Sequence, residues 1–281
     1  MRVASGMTMV AIDKIDRTKL AGGLVGTRFA GKVRHFETIG STNTELLAAA
    51  AEGAAEGTAY VADEQTAGRG RGGHAWHSAA GDGLYVSALV KPSLKLADAL
   101  LLSLATGLAV QQAVREVTAV TLDIRWPNDL MFAGADGVTR KCGGILVETA
   151  VEPGPEPALR YAVVGVGLNV HHAAFPPELE KLATSLRLAS KLSVFRTPLL
   201  LAMLRNLDLE LTRLEATTDG HARLQERFTA ASTWVRGKRV SVPEDGGYTG
   251  ETSGLDDRGY LLVAGDDGRT RTVRSGGVRE L

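Results

Sequence analysis

Cysteine is almost absent from this 281-residue chain. The one thiol, Cys142, can form neither an internal disulfide nor a cysteine-based zinc site, so the sequence reads as cytosolic and unstapled. Net charge is missing too, because 32 Lys and Arg balance 32 Asp and Glu. That balance argues against a protein whose main work is coating nucleic acid, and any basic patch must be local. No bilayer span is expected: the longest charge-free stretch, residues 99–114, carries Ser103, Thr106, Gly107, Gln111 and Gln112 and falls short of about 20 residues. No apolar segment precedes Asp13 and Lys14, so no signal peptide is expected. There is no internal repeat. What is present is ordinary globular usage, 44% hydrophobic and 23% charged, which excludes a disordered, collagenous or coiled-coil chain. The length suits one large domain with a small one, or two.

Residues 1–31 show no sustained period and read as a loosely held N-terminal arm. From Lys32 the pattern sharpens. Residues 33–38 read as a strand, 42–51 as an Ala/Leu-rich helix and 58–62 as a second strand. A loop over 68–83 leads to an alternating strand at 84–90. Residues 96–117 form the longest helical run, apolar nearly all round and therefore buried. A strand over 122–126 stops at Pro127, and 144–150 and 161–166 read as buried strands joined by the proline-rich surface connection 152–157. Residues 197–230 read as helical, with Leu199, Leu200, Met203, Leu204, Leu207, Leu211 and Leu214 on one face. Beyond Arg236 the composition changes to short strand-like pieces (239–242, 261–263, 271–273) between Asp/Gly turns, which suggests a small β-barrel. The expected organisation is an arm (1–31), a large domain (32–234) and a barrel (235–281). The fold class is α+β, a mixed sheet backed by helices.

The most unusual segment is Gly68-Arg69-Gly70-Arg71-Gly72-Gly73-His74-Ala75-Trp76. Its glycines let backbone N–H groups approach a ligand, and two guanidinium forks suit carboxylate and phosphate. Three readings compete with an anion-binding loop. A dinucleotide fingerprint would need a helix after the glycines, and none follows. An RNA-binding Arg-Gly-Gly segment is possible, though there is a single run inside a patterned domain. A plain solvated loop is common, but two arginines and a tryptophan are unusual in one. Next, Trp126-Pro127-Asn128-Asp129 ends a strand and delivers a carboxamide and a carboxylate to a sheet edge, where they could meet a nucleotide, Mg²⁺ or an attacking amine, or simply build a turn. Lys141-Cys142-Gly143-Gly144 sets a lysine at the mouth of a strand, where it could meet an oxyanion. Cys142 reads as a small filler. Thr42 with Glu45 fits a capping box, which explains Thr42 structurally. Gly165 to Asn169 closes a strand with a glycine pair and a polar residue. Gly26 to Lys32 matches phosphate-loop spacing but has Val33 where Ser or Thr is required, and His171-His172 reads as a solvated corner, not a zinc site.

Taken in order, Ser41-Thr42-Asn43, Gln65-Thr66-Ala67-Gly68-Arg69-Gly70-Arg71, Trp126-Pro127-Asn128-Asp129-Leu130, Lys141 with Gly144 to Glu148, and Gly165 to Val170 resemble the biotin–protein ligases. The resemblance runs from about residue 33 to the C-terminus. It implies a mixed sheet related to class II aminoacyl-tRNA synthetases with a C-terminal SH3-like barrel. It implies two half-reactions: biotin and ATP give biotinyl-5′-adenylate and pyrophosphate, and a lysine of a biotin carboxyl carrier domain then takes the acyl group. By resemblance, Ser41, Thr42, Asn43 and Gln65 hold the bicyclic end of biotin, with Gly144 beside it. Arg69, Gly70 and Arg71 wrap the carboxylate and phosphate. Lys141 stabilises charge at the reacting centre, and with Arg69, Arg71 and Asp129 makes up the expected catalytic set. Asn128 and Asp129 serve Mg²⁺, for which Asp129 is the expected ligand, or the nucleotide or amine. Asn169 faces the adenine, and Trp76 helps close the loop over the adenylate. ATP and biotin are substrates, Mg²⁺ is expected, and no tightly bound prosthetic group is. The partner is the carrier protein of a carboxylase, in the cytoplasm, with no DNA, no membrane and a monomeric or homodimeric state. His74 and Arg125 stand where the family commonly has arginine and lysine. An RNA-binding module using the Gly-Arg loop is the alternative from another class, and lipoate–protein ligase is the sister enzyme.

Overall fold

Two sheets organise the chain. The structure, a computed structural model, describes residues 13–281 apart from 135, 153, 155–157, 191–192, 217–218 and 275–276. Helix α1 (Arg17–Gly23) precedes strand β1 (Val33–Ile39), helix α2 (Thr42–Ala51) and strands β2 (Ala59–Gln65) and β3 (Gly83–Val90). Helix α3 (Leu100–Thr118) leads into β4 (Asp123–Arg125), β5 (Asp129–Ala133), β6 (Thr139–Glu152) and β7 (Ala158–Asn169). Helices α4 (Leu186–Ser190), α5 (Arg196–Glu215) and α6 (Gly220–Ala231) follow. The chain ends in β8 (Arg236–Val242), β9 (Tyr248–Leu255), β10 (Leu261–Gly265), β11 (Thr270–Val273) and β12 (Arg279–Glu280).

The first sheet runs β1-β2-β3-β7-β6-β5-β4. It is mixed: β1 pairs parallel to β2, and the remaining neighbours are antiparallel. The second sheet, β11-β10-β9-β8-β12, is antiparallel throughout. The expected α+β class, a mixed sheet backed by helices followed by a separate β domain, is the observed one.

Side chains alternate across a strand, and this alternation places the site. In β7, Ala162, Val164, Val166 and Leu168 enter the main core with α3 and α5, while Tyr161 and Val163 pack with Leu46 of α2 on the other face. Gly165 and Gly167 share the parity of Val163, and their partners across the ladder are Ser87 and Tyr85 of β3 and Leu146 and Gly144 of β6. The α2 face of the sheet is therefore floored with glycines and small polar groups where a ligand can lie.

Helix α3 is a core element. Leu101, Leu102 and Leu104 are fully buried, and burial of each is worth about 1.5–3 kcal/mol. Counted from Leu96 to Thr118 the segment reaches 23 residues with mean hydropathy 1.3, long and apolar enough to cross a bilayer, which the shorter stretch 99–114 suggested it was not. It is mostly buried inside the protein and packs on α5 and the sheet, so core packing accounts for its apolar character.

Several expectations are corrected. Residues 13–31 are no loose arm: Ile15, Leu20, Leu24 and Phe29 are buried in the main core, and Arg28 pairs with Asp208 of α5 at 2.7 Å. Residues 1–12 lie outside the described ones. The helical stretch 197–230 is two helices, α5 and α6. Strand β5 was hidden, because Asn-Asp after proline reads as a turn and a register irregularity at Leu130/Met131 breaks its pattern. Strand β9 was hidden by Gly250 and Gly254. The proline-rich 152–157 connection falls largely outside the described residues, although β6 and β7 pair antiparallel across it.

Candidate active site

Ser41, not Thr42, caps α2, its hydroxyl accepting from the Thr44 N–H. That frees Thr42, which turns inward. The Thr42 N–H and hydroxyl both reach Gln65 Oε1, at 2.9 and 3.1 Å. The Ser87 hydroxyl meets Thr42 Oγ1 at 2.7 Å and Asn43 Oδ1 at 2.5 Å, and Gln65 Nε2 donates to Ser78. Thr42, Asn43 and Ser87 are all buried. A fixed polar network in a low-dielectric setting orients its members sharply. Gly165 is required beneath it, since a Cβ there would stand 2.2 Å from Asn43 Oδ1.

These groups line a narrow inner cleft together with Ser41, Arg69, Gly70, Arg71, Lys141 and Gly144. Every residue expected to hold the acid substrate therefore faces one space. The cleft opens, through Gly70, Arg71, Trp76, Asn128 and Lys141, into an outer cavity of about 610 Å³ that also touches Asp129, Asn169 and Phe175. All of the expected nucleotide-side residues line that outer space.

The cations are not equivalent. Arg69 donates to Glu148 Oε1 at 2.7 Å and to Thr44 Oγ1 at 3.2 Å, and Glu148 Oε2 also accepts from Asn43 Nδ2 at 3.0 Å. Lys141 Nζ lies 2.5 Å from Asp129 Oδ1 and 5.5 Å from the Trp76 ring centre. Arg71 is exposed and, among the described residues, has no carboxylate partner. The expectation that Arg69 wraps the acyl-phosphate is thus modified: its fork already holds the loop to β6. Asn128 is held to β6 as well, its side-chain Nδ2 donating to Ile145 O and its backbone carbonyl accepting from the Ile145 N–H. Asn169 Nδ2 donates to Thr184 O at 3.0 Å.

Trp76 fills the cleft. Its indole covers Gly167, where a Cβ would lie 2.4 Å from Nε1, and reaches Gly144. Among the described residues the buried indole N–H has no hydrogen-bond partner. What remains of the inner cleft is about 50 Å³, room for a few waters.

Sequence reasoning missed one wall of the outer cavity. Residues 171–184 carry Phe175, Leu179, Leu182 and Ala183 into it, and the segment is pinned to Lys141 by two backbone hydrogen bonds of 2.8 and 2.9 Å. The only sequence signal was a lone Phe before two prolines. The solvated histidine corner is also corrected. His172 is 1% exposed and stacks on Phe175 at 4.9 Å, and burial pushes its pKa down to about 4. Among the described residues no group of three His, Cys, Asp or Glu could hold a metal. Burial pushes the Cys142 thiol up to about 12, which suits a filler and not a nucleophile. Arg125 lies outside the chemistry, stacked 4.2 Å over Trp234 and bonded to Val278 O.

The chain is similar to known proteins over most of its length. The model of the Biotin/lipoate A/B protein ligase family matches residues 35–169, and that of the Biotin protein ligase C terminal domain matches residues 236–278. The chain is 30% identical to the bifunctional ligase/repressor BirA of Bacillus subtilis over 91% of this chain and 76% of that protein. It is 35% identical to the biotin–[acetyl-CoA-carboxylase] ligase of Mycobacterium tuberculosis, covering 86% of each. Among solved structures it resembles the biotin protein ligase from Aquifex aeolicus in complex with biotin and ATP, with a TM-score of 0.73, 28% identity and coverage of 89% of this chain and 100% of that one. With its acid cleft and its outer cavity meeting at Arg71 and Lys141, the chain belongs to the biotin protein ligase family.

Proposed function

We propose how this site divides the work of an ATP-dependent ligase that activates biotin as biotinyl-5′-AMP and forms a carbon–nitrogen bond to a lysine of a biotin carboxyl carrier domain. The observation that carries the reading is the junction: five residues border both the narrow polar cleft and the outer cavity, and two of them are cations. A carboxylate and a triphosphate repel one another, and positive charge fixed where they meet lowers that barrier. Ser41, Thr42, Asn43, Gln65 and Ser87 bind the ureido end of biotin, and Gly144, Gly165 and Gly167 leave room for its body. Trp76 moves off Gly167 to admit the acid and then covers it, keeping water from the adenylate.

In the first step a biotin carboxylate oxygen attacks the α-phosphorus of ATP, a P–O bond forms, and pyrophosphate leaves. Arg71, which has no carboxylate to release, takes the phosphate charge. Lys141 stabilises the α-phosphoryl oxygens. In the second step the carrier lysine amine attacks the acyl carbon and AMP leaves. Asp129 stands beside Lys141 to face that amine. Asp129, ion-paired with Lys141, would be the carboxylate that meets Mg²⁺ carried by ATP, since that ion is commonly held by one or two carboxylates plus substrate phosphates and would there neutralise phosphate charge. Asn169 and Phe175 border the nucleotide base. The single buried cysteine and the use of ATP fit a cytoplasmic setting.

The test is incubation with biotin, ATP labelled at the α-phosphate and an apo carrier domain. Labelled biotinyl-adenylate, followed by biotin on the carrier, is expected; no adenylate with biotin rejects the reading. Lipoate in competition separates the sister activity, which the match of residues 236–278 to a biotin protein ligase domain disfavours.

A further inference from the structure

Helix α5 begins without a capping side chain of its own. Its first N–H, on Arg196, donates at 2.8 Å to Asp13 Oδ2, and the Arg196 guanidinium reaches the Asp13 carbonyl. Arg196 is 2% exposed. A guanidinium that deep must be paired, and Asp63 supplies the second carboxylate at 2.8 Å. Asp13 is therefore rigidly held. Its Oδ2 also lies 3.5 Å from Arg196 Nε and 2.9 Å from His171 Nε2.

His171 opens the segment that walls the outer cavity. Its backbone N–H, with that of Val170, donates to Asp82 O. The next residue, His172, is buried and stacks face to face on Phe175, the rings 8° from parallel, while Phe175 faces the cavity. At the far end of the segment Thr184 N–H donates to Lys141 O. The wall is thus clamped at Lys141 behind and at Asp13 and Asp82 in front.

We infer that Asp13, from the segment that precedes the family's matched region, is a positioning residue for the nucleotide half of the site, acting through His171 on the Phe175 wall. The inference rests on the outer cavity being the nucleotide site. Asp13 lines neither cavity; its path to the outer one runs through His171 to Phe175, whereas the acid cleft is built from α2, β2, β3, β6, β7 and the Gly-Arg loop, so the larger effect of its loss is expected on ATP.

The experiment measures KM for ATP and for biotin, with the thermal midpoint, in Asp13→Ala, His171→Ala, the double variant and His171→Gln. Each single alanine variant is expected to raise KM for ATP about fivefold, with KM for biotin within about twofold. The double variant is expected to be no worse than the more affected single one, because both cut the same link. His171→Gln, which can still donate to Asp13, is expected to stay close to the unsubstituted protein. Equal rises in both KM values, a lowered midpoint with neither KM changed, or additive effects in the double variant overturn the inference. Should Asp13→Ala not fold, His171→Ala and His171→Gln decide on the same criteria. An unsubstituted protein with no ATP-dependent turnover overturns the ligase reading itself, which separates the two failures.

Discussion

Arg69 Nη2 donates to Glu148 Oε1 at 2.7 Å, joining the Gly-Arg loop to the middle of β6 across 79 residues of sequence. The same carboxylate receives Asn43 Nδ2, so one side chain holds the loop and the N-terminus of α2 together over the acid cleft. The pair is partly exposed, 47% on the Arg69 side, and solvent limits its strength to about 1 kcal/mol or less. Glu148→Gln keeps the Asn43 contact and removes the charge. Biotin affinity measured by calorimetry is expected to weaken about threefold to fivefold, in line with that energy. Unchanged affinity would show that the loop is held by other contacts.

On the proposed mechanism Lys141 supplies charge where it develops. Lys141→Ala is expected to slow pyrophosphate release with biotin by about 10²-fold or more, the range found when one preorganised donor is removed. Biotin binding should change only a few-fold, because the partner charge forms during reaction. Equal losses in affinity and rate would place Lys141 in ground-state binding instead.

Gly165 tests the packing under the polar network. Gly165→Ala drives a methyl into Asn43 Oδ1, which cannot yield because Ser87 and Glu148 hold Asn43. Overpacking of this kind costs about 1–3 kcal/mol, so a fall in Tm of roughly 5 °C is expected together with weakened biotin binding. Gly22→Ala is the control: it lies in α1 with nothing within 4 Å, and removing a helical glycine should leave Tm level or slightly raised.

The parts of this site that could be read from sequence are the local ones. Ser41-Thr42-Asn43 and the Gly-Arg loop announce themselves because a helix start and a backbone concavity are made by neighbouring residues. The assignment of the cap to Thr42 failed because Ser41 and Thr42 are both good capping residues, and only the tertiary partners Gln65 and Ser87 decide between them. Charge was legible but pairing was not: nothing in the sequence says that Arg69 is engaged by Glu148 while Arg71 has no carboxylate partner among the described residues. Residues 13–31 escaped for the same reason, since Asp13 finds its partners 158 and 183 positions away. The wall at 171–184 has neither helical nor strand period, and its order comes from contacts with Lys141, Asp13 and Asp82.

His172 gives the fold an acid sensitivity with a definite sign. Its imidazole is buried between Phe175 and His77, and burial pushes its pKa down to about 4. In the unfolded chain a histidine titrates near 6.5. Between those values the unfolded state binds the proton and the folded state does not, so stability is fully present above about pH 6.5 and is lost as pH falls toward 4. The separation of the two values corresponds to about 3 kcal/mol at most. His172→Phe keeps a flat ring against Phe175 and removes the titration. Its Tm, followed from pH 7 to 4.5, is expected to fall several degrees less than that of the unsubstituted protein, and parallel curves would show that His172 does not carry the acid limb.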